Sequence, residues 1–282
     1  MARVDPEDLS MGDICSATGL SADVVRVWER RYGFPVPVRL PSGHRRYRQE
    51  DLQRLRRMVQ ALARGHRPSL VVRASDAALE RMLQPGDNPS AETLFQAVVA
   101  LDVVRLRQLL QEARIQLAWK PLLEQVISPL IDRVGMAWAD GSIGVEHEHL
   151  VTEVLEDFLR ELRLEHSQQP KSGAVLLCTL PGERHRLGLL MASLAYAAHG
   201  LRTELLGVDL PVASIAQAAH LLKVDRVAVS ISIHTAGEPT RQLLKHLKDR
   251  LPPGCRLIIG GKGVARTRKL EGIERRVGLE VT

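Results

Sequence analysis

The chain has 282 residues, 45% of them hydrophobic but with only three each of Phe, Trp and Tyr, so it suits two or three domains with aliphatic cores. No apolar run approaches the ~20 residues that a membrane span needs, the polar start Met1-Ala2-Arg3-Val4-Asp5 is not a signal peptide, and Cys15, Cys178 and Cys255 are too scattered for a disulfide framework or a zinc site. These features predict a cytoplasmic protein with no membrane partner. Of its 39 basic and 33 acidic residues, 14 arginines and 8 acids fall within residues 1–73, which leaves 25 of each in the remainder. The whole net charge of +6 therefore sits in the first quarter, where every basic residue is arginine. Such asymmetry points to a nucleic-acid-binding head on a neutral body.

In that head, Ser10 is placed to cap a helix over Met11 to Thr18, and Gly19-Leu20-Ser21 supplies a tight turn and a new cap. A second helix runs from Ala22 to Tyr32 and stops at Gly33 and Pro35. Helix, glycine turn and helix make the helix-turn-helix pattern. Val24, Val25 and Trp28 share one face as core, while Arg26, Arg30 and Arg31 project elsewhere. The proline-rich stretch Phe34 to Pro41 excludes helix, and Ser42-Gly43 marks the turn of a basic hairpin, or wing. Asp51 to Arg64 is helical, with Leu52, Leu55, Val59 and Leu62 at helical spacing; Arg54, Arg56 and Arg57 fit a solvated face equally well.

The run Val27-Trp28-Glu29-Arg30-Arg31-Tyr32-Gly33-Phe34-Pro35, followed by Gly43-His44-Arg45-Arg46-Tyr47, closely resembles the winged helix-turn-helix of MerR-type regulators. The resemblance implies operator double-stranded DNA as partner. It places Arg26, Arg30, Arg31 and Tyr32 on the helix that enters the major groove, and His44, Arg45 and Tyr47 on the wing. MerR-type regulators usually dimerise through a long coiled coil after this head. Here Pro68, Pro85 and Pro89 interrupt the region, so self-association has to come from elsewhere.

Gln84 to Ser90 reads as a linker by composition. Four helices follow, near 91–101, 103–115, 120–139 and 145–164, and their short connections favour an up-down four-helix bundle. Leu122, Val126, Ile127, Leu130 and Val134 form an ordinary core stripe, and Pro129 is expected to kink the third helix. The seam between the last two helices carries Trp138, Asp140, Glu146, His147, Glu148 and His149. Two histidines two apart do not share a helix face, which argues against a metal site; a polar turn explains the same residues.

The last third begins with an apolar run, Ala174 to Thr179, that reads as a buried parallel strand, then Gly182-Glu183-Arg184-His185-Arg186-Leu187-Gly188, then a helix from Leu189 to His199. An acid, a histidine and a glycine thus sit on the loop at the carboxyl end of a strand, where open α/β sheets bind ligands. A second strand, Arg226 to Ser230, ends in Ser230-Ile231-Ser232, and a third, Arg256 to Ile259, ends in Gly260-Gly261-Lys262-Gly263. A fifth strand is expected over Gly278 to Thr282, with the fold's closing helix missing from the chain.

Histidine loop, serine after a later strand and glycine pair after the next resemble the cobalamin-binding domain of methionine synthase and the mutases. The resemblance implies His185 as the lower axial ligand of cobalt, held by Glu183 where the usual motif has Asp. It implies a path for the nucleotide tail past Ser230 and Ser232 and over Gly260 and Gly261, with Thr179 and Gly188 as further cofactor-binding residues. The order of all three modules is similar to CarH-type light-responsive repressors, in which a bundle Trp and a Glu-His pair ten residues on cap the upper face of cobalamin. Trp138, Glu148 and His149 match that spacing.

The fold expected is multidomain α plus α/β: a winged helix-turn-helix (1–76), a four-helix bundle (77–166) and a Rossmann-like, flavodoxin-like parallel-sheet domain (167–282). The function implied is a cobalamin-binding, light-responsive transcriptional repressor rather than an enzyme. Adenosylcobalamin is the implied cofactor and a homo-oligomer, dimer or tetramer, the implied assembly. A light-independent cobalamin sensor, a cobalamin-independent MerR-type regulator and a corrinoid methyl carrier also fit parts of the pattern. One departure bears on mechanism: the residue after the tryptophan, often a cobalt-binding histidine in CarH-type photoreceptors, is Ala139.

Overall fold

A computed structural model describes residues 8–40, 42–83, 89–167 and 173–281. The chain divides into two compact units, residues 1–96 with 108–133 and residues 97–107 with 134–282. Among the described residues, no helix is long and apolar enough to cross a membrane.

The first unit opens with β1 (Leu9–Ser10) and α1 (Met11–Thr18). Ser10 and Asp13 cap α1 reciprocally: the Asp13 N–H donates to Ser10 Oγ at 3.2 Å and the Ser10 N–H donates to Asp13 Oδ2 at 2.8 Å. Gly19, at φ 73°, ends the helix in the left-handed region that only glycine enters freely. Ser21 then caps α2 (Ala22–Tyr32) through the Val24 N–H. The wing follows as β2 (Val38–Arg39) and β3 (Arg45–Tyr47), and β3 is the middle strand of an antiparallel sheet in the order β1-β3-β2.

Next come α3 (Gln49–Ala63), α4 (Pro68–Arg73) and α5 (Asp76–Leu83). Ile14, Val25, Trp28, Tyr47, Leu55, Val71 and Leu79 close one core. Three expectations change here. Val24 is solvent-exposed, so the buried face of α2 is Val25 and Trp28. On α3, Met58 and Ala61 are fully buried where Val59 and Leu62 were expected. Pro68 starts a helix instead of interrupting one, because a first-turn residue needs no N–H partner. Since Leu79 shares the core of the head, packing runs on past residue 76. The Gln84 to Asn88 part of the expected linker lies outside the described residues.

Four helical stretches follow: α6 (Ala91–Val99), α7 (Val103–Gln116), then α8 (Trp119–Pro121) continuing through a π-helical turn, Leu122–Ile127, into α9 (Ser128–Ala139), and α10 (Val145–His166). The boundary between the two units passes through α6, α7 and α9. Pro129 is the second residue of α9, so its missing N–H falls where the wide turn has already changed the hydrogen-bond register.

The rest of the second unit alternates strand and helix: β4 (Ala174–Cys178), α11 (Leu187–Ala198), β5 (Arg202–Gly207), α12 (Val212–Leu221), β6 (Arg226–Ser230), α13 (Glu238–Lys248), β7 (Arg256–Gly260), a 3-10 turn at Lys262–Arg266, and β8 (Ile273–Arg275). All five strands are parallel, in the order β5-β4-β6-β7-β8. Every residue of β4 is buried, as a strand covered on both faces requires. The chain leaves β4 for β5 on one side and returns to β6 on the other. The switch point therefore lies between the carboxyl ends of β4 and β6. The fifth strand is Ile273–Arg275, not Gly278 to Thr282: Leu257 pairs with Ile273 and Ile259 with Arg275, while Gly278 turns away at φ 72° and Thr282 lies outside the described residues.

Candidate functional site

At the switch point the loop after β4 carries Glu183 and His185, and the loop after β6 carries Ser232, His234 and Thr235. The Glu183 carboxylate is 3% exposed and fully engaged. Its Oε1 accepts from the His185 N–H at 3.0 Å and lies 2.6 Å from His185 Nδ1. Its Oε2 accepts from the Ser232 N–H at 2.8 Å and from the Thr235 hydroxyl. Burial alone would push this carboxyl up; hydrogen bonds from Thr235, Ser232 and the His185 backbone outweigh that and bring it down to about 2. A carboxylate so held has no proton to donate, so the short contact is His185 Nδ1–H donating. That makes Nδ1 the protonated nitrogen, so in the neutral ring the lone pair is on Nε2, on a side chain that is 62% exposed.

Thr179 is completely buried and commits its hydroxyl to the loop, donating to the Glu183 carbonyl at 2.6 Å and accepting from the Asp209 N–H at 2.9 Å. It shapes the histidine loop and has no exposed surface, unlike the cofactor-binding place expected for it. Gly188 packs closely on β6, since a Cβ there would lie 3.2 Å from Ser230 Oγ, which would have to shift by a few tenths of an ångström. Gly261, at φ 93°, would set a Cβ 2.5 Å from the Ile231 carbonyl oxygen, and Gly263 would set one 2.1 Å from that of Ser232. These two glycines bring the turn after β7 against the loop that holds Glu183. At Gly260 the nearest atom to a built Cβ is the Arg276 carbonyl oxygen at 4.0 Å, an ordinary contact.

Three side chains expected above the ligand lie in the same unit as His185. Trp138 is 55% exposed, a large apolar surface left to solvent. Glu148 accepts from the Thr152 hydroxyl at 3.0 Å, and His149 lies 3.4 Å from Glu148 with an exposed ring. His147 is different: its Nδ1 accepts the Gly144 N–H at 3.2 Å and so caps α10. Asp140 accepts from the Ser142 N–H at 2.9 Å and makes the polar turn. Among the described residues, no group of three His, Cys, Asp or Glu side chains is placed to hold a metal ion by itself.

In the head, Arg26, Arg30, Arg31 and His44 are exposed, with Arg26 3.0 Å from Asp23. Tyr32 is half-buried beneath Arg73. Arg45 pairs with Glu29 at 3.1 Å. Tyr47 is fully buried, and its hydroxyl donates to Glu29 at 2.5 Å; burial first, and then this bond, push its ionisation up. Tyr47 thus packs the head instead of facing DNA, a correction of the sequence expectation. Glu29 ties the wing to α2 through both partners. Sequence reasoning missed Glu29, His234 and Thr235.

Family comparison finds three consecutive segments, where the fold has two compact units. Residues 9–77 match the MerR HTH family of regulatory proteins, and residues 90–163 and 173–274 each match a B12 binding domain. Over 275 residues the chain is 30% identical to the HTH-type transcriptional repressor CarH of Myxococcus xanthus, covering 93% of this chain and 91% of that protein. The chain belongs to the CarH family of transcriptional repressors. The repressor CarA of Myxococcus xanthus is 27% identical over 208 residues, 72% of this chain and 69% of CarA. Among solved structures, the monomethylamine corrinoid protein of Methanosarcina barkeri superposes with a TM-score of 0.53 at 17% identity, over 66% of this chain and 91% of its own. That likeness shows a shared fold.

As a CarH-family repressor the chain carries a MerR-type DNA-binding head and cobalamin-binding domains. The site fits the group. An imidazole with a bound Nδ1 and a free Nε2, backed by a buried carboxylate, is the donor set that one axial position of cobalt needs.

Proposed function

We propose that this repressor holds adenosylcobalamin with His185 Nε2 as the lower ligand of cobalt and uses it as a light-sensitive control on DNA binding. The observation that carries this reading is the Glu183–His185 pair at the sheet's switch point. Bound adenosylcobalamin supplies a cobalt–carbon bond that light breaks. Glu183 fixes the His185 tautomer and, through Ser232 and Thr235, anchors the imidazole to β6. Ser230, Gly260 and Gly261 edge the path for the nucleotide tail. Trp138, Glu148 and His149 cover the upper face and keep water from it. Ala139 offers no donor atom, and His147 is occupied by its cap, so His149 is the one exposed imidazole of this segment.

The head, nominally residues 1–76, reads operator DNA with Arg26, Arg30, Arg31 and Tyr32 from α2 and His44 and Arg45 from the wing. The segment 134–166, which carries Trp138, Glu148 and His149, and the sheet domain of 167–282 hold the ligand and support a homo-oligomer. Several heads on one assembly raise DNA affinity through effective concentration. In this reading the chain is a regulator and carries out no turnover.

The test is an absorption spectrum, a size measurement and operator binding, each with and without adenosylcobalamin and before and after green light. Wild type should show imidazole-ligated cobalt, a larger assembly and tighter operator binding in the dark, all reversed by light. His185→Ala should shift the spectrum to the base-off form or lose the ligand. A wild-type spectrum and affinity in His185→Ala refute the assignment.

A further inference from the structure

The loop after β6 does more than hold Glu183. The His234 ring lies against His185, with ring centroids 5.3 Å apart and planes 21° from parallel, the offset stacking that aromatic pairs prefer. The turn that carries His234 is held through its backbone: the His234 main-chain N–H donates to Ser232 Oγ at 3.2 Å, and the Ala236 N–H donates to the Ser232 carbonyl at 3.2 Å, while His234 itself is exposed and its ring is placed by the stack on His185. The Thr240 hydroxyl donates to the Thr235 carbonyl, so the turn is tied to α13 as well.

We propose that His234 is a positioning residue for the lower cobalt ligand, its ring forming the wall that sets the plane of the His185 imidazole. This rests on the reading of His185 given above. The physical need is plain. His185 is 62% exposed, so packing does not fix its ring. Its Cβ and the Nδ1–Glu183 bond pin two points, and rotation about the line between them still swings Nε2. A flat surface against one face of the ring removes that rotation. The same loop thus sets the tautomer, through Ser232 and Thr235 acting on Glu183, and the direction of the lone pair, through His234.

The test uses the full chain loaded with cob(II)alamin and read by electron paramagnetic resonance, in which one axial nitrogen splits each cobalt line into three. His234→Ala should lower the ratio of imidazole-on to imidazole-off cobalt by about two- to tenfold, the range a stacked aromatic pair carries. His234→Phe keeps a flat ring and should restore it. In the ligand-free protein, the nuclear Overhauser contacts that fix the plane of the His185 ring should weaken in His234→Ala and return in His234→Phe. An unchanged ratio in His234→Ala overturns the proposal, as does a loss that His234→Phe does not rescue. If His185→Ala keeps the threefold splitting and His185→Ala with His234→Ala loses it, His234 is itself the ligand and both readings fall. If wild type shows no splitting, the assignment of His185 fails by itself, and the NMR comparison still decides whether His234 orients the ring.

Discussion

Replacing Glu183 by Gln tests the centre of the site with almost no change in shape. The carboxyl drops from 4.5 to about 2 in the folded chain. At about 1.4 kcal/mol per tenfold, the fold favours the charged form by about 3 kcal/mol. The glutamine amide has one acceptor oxygen where Glu183 has two, and its nitrogen must face either His185 or the Ser232–Thr235 pair, all of them donors. The variant should therefore lose about 2–3 kcal/mol at pH 7, most of the charged carboxylate's share. The pH dependence follows from the sign of the shift. A depressed carboxyl stabilises fully above 4.5 and loses that contribution as pH falls towards about 2, so less than half of it should remain at pH 3. Gln does not titrate, so the gap between wild type and variant should close over that window. Urea unfolding of the ligand-free protein, followed by hydrogen exchange in peptides spanning β4 and β6 with a labelling pulse at fixed pH, measures the gap. A gap that is absent at pH 7, or equal at pH 7 and pH 3, refutes the argument. Cobalamin affinity should fall as well, by about 10- to 100-fold, and less than in His185→Ala.

Gly263→Ala would drive a methyl carbon to 2.1 Å from the Ser232 carbonyl oxygen, and the loop must shift; a loss of about 1–3 kcal/mol should appear in the same unfolding assay, together with weaker cobalamin binding. In the head, Arg30→Ala or Arg31→Ala should reduce the slope of log affinity against log salt by about 1 if the residue meets phosphate, read by fluorescence anisotropy on an operator duplex. Tyr47→Phe removes a buried hydroxyl from Glu29 and should cost about 1 kcal/mol of stability while leaving the salt slope unchanged. Ala139→His should slow the loss of cobalamin from illuminated protein under a cyanide or imidazole challenge, whereas wild type should exchange readily; equal rates in the two would mean that residue 139 does not look onto cobalt.

What the amino-acid sequence determined by itself is what depends on neighbours along the chain. The caps at Ser10 and Ser21 and the stops at Gly19 and Gly33 are local hydrogen bonds and local backbone freedom. The buried strands β4, β6 and β7 announce themselves as apolar runs because both of their faces are covered. The Glu183–His185 pair was legible because the two residues are two apart on one loop and so within hydrogen-bond reach without any long-range contact. Tertiary structure alone decided the rest. Thr235 reaches Glu183 across 52 residues of sequence, and His234 finds His185 by the same route, because parallel topology puts the ends of β4 and β6 side by side. Tyr47 looks like a wing contact in sequence, yet the middle position of β3 and the carboxylate of Glu29 pull it inward. The last strand is Ile273–Arg275 rather than the segment after it, because hydrogen bonds to β7 select the register and a short apolar stretch at an edge carries no such information.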